Sequence, residues 1–417
     1  MSVTQNFKYV DWLQRSCIQK LLHVLSLDGE EARVVGGAVR NQLLGKPISD
    51  IDIATTCLPQ QIIMRVEKAG FRAVPTGIAF GTITVVAESC SYEVTTLRSD
   101  IETDGRHAKV LFGRDWKKDA ERRDFTINAL YCDAAGQLYD VVGGLNDIAS
   151  RTIRFIGPAE NRIREDYLRI LRFFRFFAWY GEGRPDAEGL KACACLKNGL
   201  KKLSSERIWA EVRKLLTVSD PIRALLWMRQ SGVLTIILPE TEKWGIDAIH
   251  SLVKIERVFG WEIDPLLRLE SIVPPDSVRL HKMANRLRLS NKEAARLKEW
   301  AELEAINENC SDHFLQKLIY SHGRQPILDQ LSLSIAAAYV DVMEKSEALK
   351  KAENYIKLYQ LAQKWKIPTF PVSGKDLIKK GLAQGALIGQ MLKKLESIWI
   401  ESGFLIDRNE LLEKINL

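Results

Sequence analysis

Gly36-Gly37-Ala38-Val39-Arg40, followed ten residues later by Asp50-Ile51-Asp52, is the stretch on which the reading of this chain turns. The glycine pair makes a turn that can approach a phosphate, and it is coupled to two carboxylates on a short strand. Side chains alternate along a strand, so Asp50 and Asp52 are expected on one face while Ile51 and Ile53 enter the core. Two carboxylates held side by side can bind a pair of divalent ions about 3.5–4 Å apart, an arrangement that serves in-line displacement at phosphorus. An Asp-x-Asp pair alone says little in a chain this charged. Joined to the Gly-Gly turn and the Arg, it points to phosphate chemistry.

At 417 residues the chain is too long for one compact core and fits roughly two to four domains. An apolar fraction of 46% and a charged fraction of 27% belong to a globular protein. The net charge of +7 permits a polyanionic partner without proving one. The seven cysteines (Cys17, Cys57, Cys90, Cys132, Cys193, Cys195 and Cys310) are scattered and odd in number. Only Cys193 and Cys195 sit close, with no His at zinc-ligand spacing, so reduced thiols in the cytoplasm are expected. The stretch around Lys8, Asp11, Arg15 and Lys20 has no apolar signal-peptide core, and no run of 18 apolar residues occurs. No membrane partner is expected.

Residues 7–27 have the spacing of an amphipathic helix. Strand-like pieces follow at Ala32–Val35, Ile51–Ala54, Thr82–Val86, Tyr92–Leu97 and Ala129–Cys132, with helices at Val39–Leu44 and Pro59–Ala69. From Glu160 onward almost every segment has helical period. The expected fold class is α+β, an α/β head followed by an all-α neck, body and tail. Residues 98–118 are polar and poor in apolar period, and are expected to form a long mobile loop with a functional role.

That loop returns into Arg122-Arg123-Asp124-Phe125-Thr126-Ile127-Asn128-Ala129-Leu130. Arg offers a fixed fork of donors for phosphate or ribose oxygens, and Asp accepts from a hydroxyl. A surface Arg-Asp pair opening a helix would read the same way. Taken together, the Gly-Gly-x-Val-Arg stretch, the Asp-x-Asp pair and this run resemble the signatures of class II tRNA nucleotidyltransferases, the CCA-adding enzymes, which share a superfamily with bacterial poly(A) polymerases. Asp140 with Gly143-Gly144 and Asp147 resembles the family's third motif, a hinge between head and neck. Glu165-Asp166-Tyr167-Leu168-Arg169 through Arg172 resembles the fourth, and Ser205-Glu206-Arg207-Ile208 through Leu216 the fifth, which supports the fourth from beneath. Weaker likeness continues through Gly374-Lys375-Asp376-Leu377-Ile378 and Gly389. Asn41 departs from the family, which usually has Asp after the Arg.

The resemblance implies a head at 1–150, a nucleotide-selecting neck at 151–216, a body at 217–330 and a tRNA-binding tail at 331–417. It implies two Mg2+ ions on Asp50 and Asp52, with Glu93 as a possible third catalytic carboxylate. The strand would equally let Glu93 face solvent. Nucleotide binding would fall to Gly36, Gly37, Arg40, Arg123, Asp124, Asn128, Asp166, Arg169, Arg172 and Arg175. Within that set, Gly37 and Arg40 would touch phosphates, Arg123 and Asp124 the ribose, and Arg172 and Arg175 the triphosphate. The implied partners are tRNA, CTP and ATP, and the implied reaction is addition of C, C and A to tRNA with release of pyrophosphate. In the tail, Lys375, Lys379, Lys380, Lys393 and Lys394 would hold RNA phosphates or form a solvated helical face.

The fourth motif can also be read without the family. Asp166 and Arg169 at i, i+3 would share one helix face. Acceptor and donor side by side match the amino and ring-nitrogen groups that cytosine and adenine both present. Uracil and guanine present the reverse order and would leave buried groups unpaired, at about 1–3 kcal/mol each. Glu165, at i, i+4 to Arg169, would steer the guanidinium. An ordinary surface ion pair has the same spacing, although Phe173, Phe174, Phe176 and Phe177 should pack this helix deep. The alternatives are a poly(A) polymerase or A-adding enzyme on the same fold, and a catalytically inactive tRNA-binding protein.

Overall fold

A computed structural model describes residues 7–87, 90–103, 108–340 and 346–415. The chain divides into two compact units, Met1–Pro239 and Glu240–Leu417.

The first unit is built on a seven-stranded sheet. In chain order the strands of this unit are β1 (Ala32–Val35), β2 (Asp52–Thr55), β3 (Arg72–Gly77), β4 (Thr82–Ala87), β5 (Cys90–Thr96), β6 (Arg98–Thr103), β7 (Ala108–Phe112), β8 (Leu130–Cys132) and β9 (Leu138–Asp140). The sheet order is β3-β4-β5-β2-β1-β8-β9, and β6 pairs only with β7. All pairings are antiparallel except that of β2 with β5. One face of the sheet takes the alternate residues Val34, Ile53, Ile83, Val85, Tyr92 and Val94, all buried. The helices Ser16–Leu25 and Pro59–Lys68 bury Ile18, Leu21, Leu22, Leu25, Ile62 and Val66 on the same side of the chain's pattern. The alternate set Val35, Ala54 and Tyr131 forms a second core with Leu97, Ala120, Ala129 and Ile156. Asp52 belongs by register to this second set, beyond the apolar packing.

Two expectations need correction. Residues 98–118 are not a loop: β6 and β7 form a two-stranded ribbon and Trp116–Glu121 is a helix. The ribbon is rooted by Phe112 against Gly81, whose φ is +77° and where a Cβ would meet the Phe112 ring at 2.6 Å. The tip, 104–107, lies outside the described residues. The segment 7–27 is likewise not one helix. A 3-10 turn at Phe7–Tyr9, a short helix Asp11–Gln14 and the helix Ser16–Leu25 succeed one another.

The helix Leu168–Tyr180 is sheathed on several sides. Phe125, Phe155, Phe173 and Phe176 interlock, with ring centroids 4.9–6.3 Å apart. Such pairs add about 0.5–1.5 kcal/mol each beyond area burial. The helices Ser205–Leu216 and Ile222–Gln230 pack on it as well, so the first unit runs past residue 216. The second unit is helical, from Thr241–Trp244 to Arg408–Glu413. Its larger core gathers Leu252, Ile255, Leu315, Ile319, Ile327, Leu331 and Ala352, and a smaller one gathers Leu377, Leu395, Trp399 and Leu411. Among the described residues no helix is long and apolar enough to cross a membrane.

Candidate active site

The turn after β1 needs its first glycine. Gly36 has φ +70° and ψ −113°, a conformation L side chains rarely adopt. Its N–H donates to the Leu130 carbonyl at 3.1 Å, and the helix Gly37–Leu43 starts at once. Arg40, one turn in, is buried and largely committed to protein partners. It donates from Nη1 to Asn128 Oδ1 at 2.5 Å, from Nη2 to the Tyr180 hydroxyl at 2.8 Å, and to Asn41 Oδ1 at 2.9 and 3.1 Å. Burial lowers its pKa, opposed chiefly by Tyr180.

Asp52 opens β2 and is paired in register with Glu93 on β5, so both carboxylates leave the sheet on one face. Asp50 lies two residues ahead of the strand and accepts from the Ser49 hydroxyl at 2.8 Å. Ile51 and Ile53 are buried as expected. The surrounding protein removes water from Asp52, and Glu93 and then Asp50 repel its charge. Its pKa is pushed up to about 6 despite Arg123 and Arg40. A carboxylate crowded by other carboxylates is stabilised in its charged form by a cation, so the donor chemistry fits a divalent metal. Among the described residues no three metal-ligating side chains converge as a preformed cluster. Glu93, the register partner of Asp52, stands on the same face and repels its charge.

Gly36, Gly37, Arg40, Asp52, Arg123, Asp124, Asn128, Asp166, Arg169, Arg172 and Phe176 line one open cavity of about 420 Å³. Nine of the ten residues expected to bind nucleotide are thus brought together. Arg175 is not among them: it turns to Glu211 at 2.5 Å and lies beside the Phe176 ring. Arg123 is held by Asp119 Oδ2 at 3.0 Å, an ion pair that raises its pKa against burial. Asp119 is itself buried and also binds Arg122 and the Tyr131 hydroxyl. Sequence reasoning overlooked it, although an Asp three and four residues before Arg122-Arg123 is a helical pairing signal.

Asp124 is saturated. Its Oδ1 accepts from Phe125 N and Asn128 Nδ2, both at 2.9 Å, and its Oδ2 from Arg172 Nε and Nη2 at 2.7 and 2.6 Å. Those four bonds fill the acceptor sites of a carboxylate. Burial opposes the charge, but Arg172 and the hydrogen bonds keep the pKa below the ordinary value. A ribose hydroxyl would have to displace one of these donors.

Asp166 and Arg169 do not share a helix. The helix Ala159–Glu165 stops at Asp166, which is extended (φ −154°, ψ 107°), and Leu168–Tyr180 begins afresh. Asp166 Oδ1 accepts from Leu168 N at 3.0 Å and Oδ2 from Arg207 at 2.6 Å. An Asp is favoured where its side chain can take a first-turn N–H that would otherwise lack a partner. The Tyr167 ring at this break fills the space at Gly199, where any Cβ would collide with it. Glu165 does hold Arg169, at 2.6 Å. Beneath them Glu211 on Ser205–Leu216 binds Arg175 and reaches Arg172 at 4.0 Å. The Gly143-Gly144 turn is closed by Asp140, which accepts from the N–H groups of residues 142–145 at 2.9–3.2 Å. At Gly144 a Cβ would strike the Thr126 carbonyl.

A glycine turn, strand-borne carboxylates and a wall of arginines define a nucleotidyltransferase type of site. Residues 32–154 match the Poly A polymerase head domain, and residues 185–244 match the probable RNA and SrmB-binding site of polymerase A. The chain is 35% identical to the mouse CCA tRNA nucleotidyltransferase 1, mitochondrial, over 95% of this chain and 89% of the relative. Against the CCA-adding enzyme of Staphylococcus epidermidis it is 28% identical, over 95% and 96%. The crystal structure of the Bacillus stearothermophilus CCA-adding enzyme in complex with CTP superposes with a TM-score of 0.68 at 26% identity, covering 95% of this chain and 96% of that one. The chain belongs to the CCA-adding tRNA nucleotidyltransferases.

Proposed function

We propose that this protein adds C, C and A to the 3′ ends of tRNA from CTP and ATP, without a nucleic-acid template and with release of pyrophosphate. The observation that carries this is one cavity lined by Asp52 together with Asp166 and Arg169. Chemistry common to all three additions and a choice among bases are thereby available in one place. Asp50 and Asp52 would hold two Mg2+ ions. Bound there, the metal supplies charge stabilisation to the phosphoryl oxygens and acidifies the attacking 3′-hydroxyl.

The remaining work falls to the chain's own groups. The backbone at Gly36 and Gly37 leaves room for phosphate, and Arg40 and Arg172 present guanidinium charge on the cavity wall. Asp124 holds Arg172 at 2.6 Å, and Glu211 holds Arg175 at 2.5 Å. These two ties support positioning roles for Asp124 and Glu211. Arg123 is the ribose-side donor. Asp166 and Arg169 read the Watson–Crick edge, with Arg207 and Glu165 fixing their orientations. The tail lysines Lys375, Lys379, Lys380, Lys393 and Lys394 are exposed and would meet tRNA phosphates. The free cysteines support a reducing compartment such as the cytoplasm.

Two variants separate the halves of this reading. Asp52→Ala should abolish C and A incorporation alike, while Asp166→Asn should change which base is added. If Asp52→Ala lost A addition only, the shared metal assignment would fail.

A further inference from the structure

Asn41 occupies a place that ties together the two chemical ends of the glycine turn. Its Oδ1 accepts twice from the Arg40 guanidinium, at 3.1 Å from Nε and 2.9 Å from Nη2. Its Nδ2 donates to the Pro47 carbonyl at 2.8 Å. Pro47 sits in the turn that begins at Gly45, φ +62°, and ends at Asp50 and Asp52. The Asn41 carbonyl also accepts from Lys46 N at 2.8 Å, so main chain and side chain pin the same turn. One amide therefore uses its acceptor on the cavity's most buried arginine and its donor on the loop that delivers the carboxylates.

We propose that Asn41 is a positioning residue that couples the phosphate-facing Arg40 to the Gly45–Asp50 turn, and so presets the carboxylates for metal. This rests on the reading of Asp50 and Asp52 as the metal carboxylates and Arg40 as a phosphate contact. In this chain the tie to the Pro47 carbonyl requires an amide donor. A carboxylate at this position would keep both bonds from Arg40 and strengthen them. It has no N–H, so it would face the Pro47 carbonyl oxygen with a second acceptor. A Leu side chain of similar size would lose both arms. The two substitutions thus separate the two functions of the residue.

The test uses the full chain with Mn2+ as a spin-active probe, titrated without nucleotide and followed by electron paramagnetic resonance, beside KM for CTP. In Asn41→Asp the Mn2+ half-saturation should rise roughly three- to tenfold, the range for one lost hydrogen bond, while KM for CTP stays near wild type. In Asn41→Leu both should rise. On charge alone a new carboxylate would tighten binding of a divalent cation, so weaker binding in Asn41→Asp at pH 8, above the Asp52 titration, is the mark of the broken tie. Mn2+ binding in Asn41→Asp equal to or tighter than wild type would overturn the proposal. Asp52→Ala is the control: unchanged Mn2+ binding there would overturn the metal assignment itself, and the proposal with it. Melting temperatures matched to wild type confirm that each variant is folded.

Discussion

Arg207 donates to Asp166 Oδ2 at 2.6 Å, across 41 positions of sequence, while Asp166 Oδ1 takes the Leu168 N–H. The carboxylate proposed to read the base is thus fixed by two donors of its own chain, at a break between helices. Arg207→Ala should leave Asp166 free to turn. The ratio of UTP to CTP incorporation should then rise by about an order of magnitude, since each misordered hydrogen bond is worth about 1–3 kcal/mol in a dry site. Single-nucleotide extension of tRNA ending at the discriminator base reads this ratio. An unchanged ratio would place base choice away from Asp166.

Asp124→Ala strips four hydrogen bonds from a buried carboxylate and leaves Arg172 without its nearest partner. Arg172 keeps partial solvent access and Glu211 at 4.0 Å, so losing Asp124 costs less than breaking a fully buried pair, about 1–3 kcal/mol. Urea unfolding should show a loss of that order, and KM should rise for CTP and ATP together because Arg172 is no longer aimed. If instead stability held and only the discrimination between CTP and dCTP fell, Asp124 would be a direct reader of the ribose.

The ribbon β6–β7 replaces the expected loop, and its root is the Phe112 ring on Gly81. Shortening the ribbon from its tip should spare addition of two C residues and suppress the terminal A. Phe112→Ala, which removes the seat, should do the same with a small loss of stability. Equal loss of C and A in both variants would mean that the ribbon serves the head's folding and takes no part in the change from C to A addition.

The pKa of Asp52 is pushed up to about 6 because partial loss of solvation, Glu93 and Asp50 disfavour its charge. Its raised value means that ionisation costs the metal-free protein stability. The cost is absent below the unfolded value near 4 and grows as pH rises toward and through about 6. Asp52→Asn should therefore melt higher than wild type at pH 7 without metal, and the two should converge toward pH 4. Mn2+ affinity of the wild type should fall about tenfold per pH unit below pH 6, as one proton competes for the site. A flat Mn2+ affinity between pH 5 and 7 would contradict the raised value.

Much of the head was legible because its strands are short apolar runs bounded by turn residues. β1 falls at Ala32–Val35 as read, and β2, β4, β5 and β8 lie within two residues of their expected ends. The ribbon was hidden because β6 is mostly polar and the two strands pair only with each other, outside the main sheet. The break at Asp166 was hidden for the opposite reason: helical period continues on both sides, and a single capping aspartate is its only mark. Residue types that carry chemistry were found, but their partners were harder to find. Asp119 beneath Arg123 stood at helical spacing from the motif and could have been read, whereas Tyr180 against Arg40 is 140 positions away and only the fold brings it in.

The most direct measurement supplies purified protein with tRNA lacking its CCA end, first with CTP alone, then ATP alone, then both, and sequences the products. The account predicts two C residues from CTP alone, none from ATP alone, and a single terminal A when both are present. A run of A residues from ATP alone would contradict it and identify a poly(A)-synthesising enzyme.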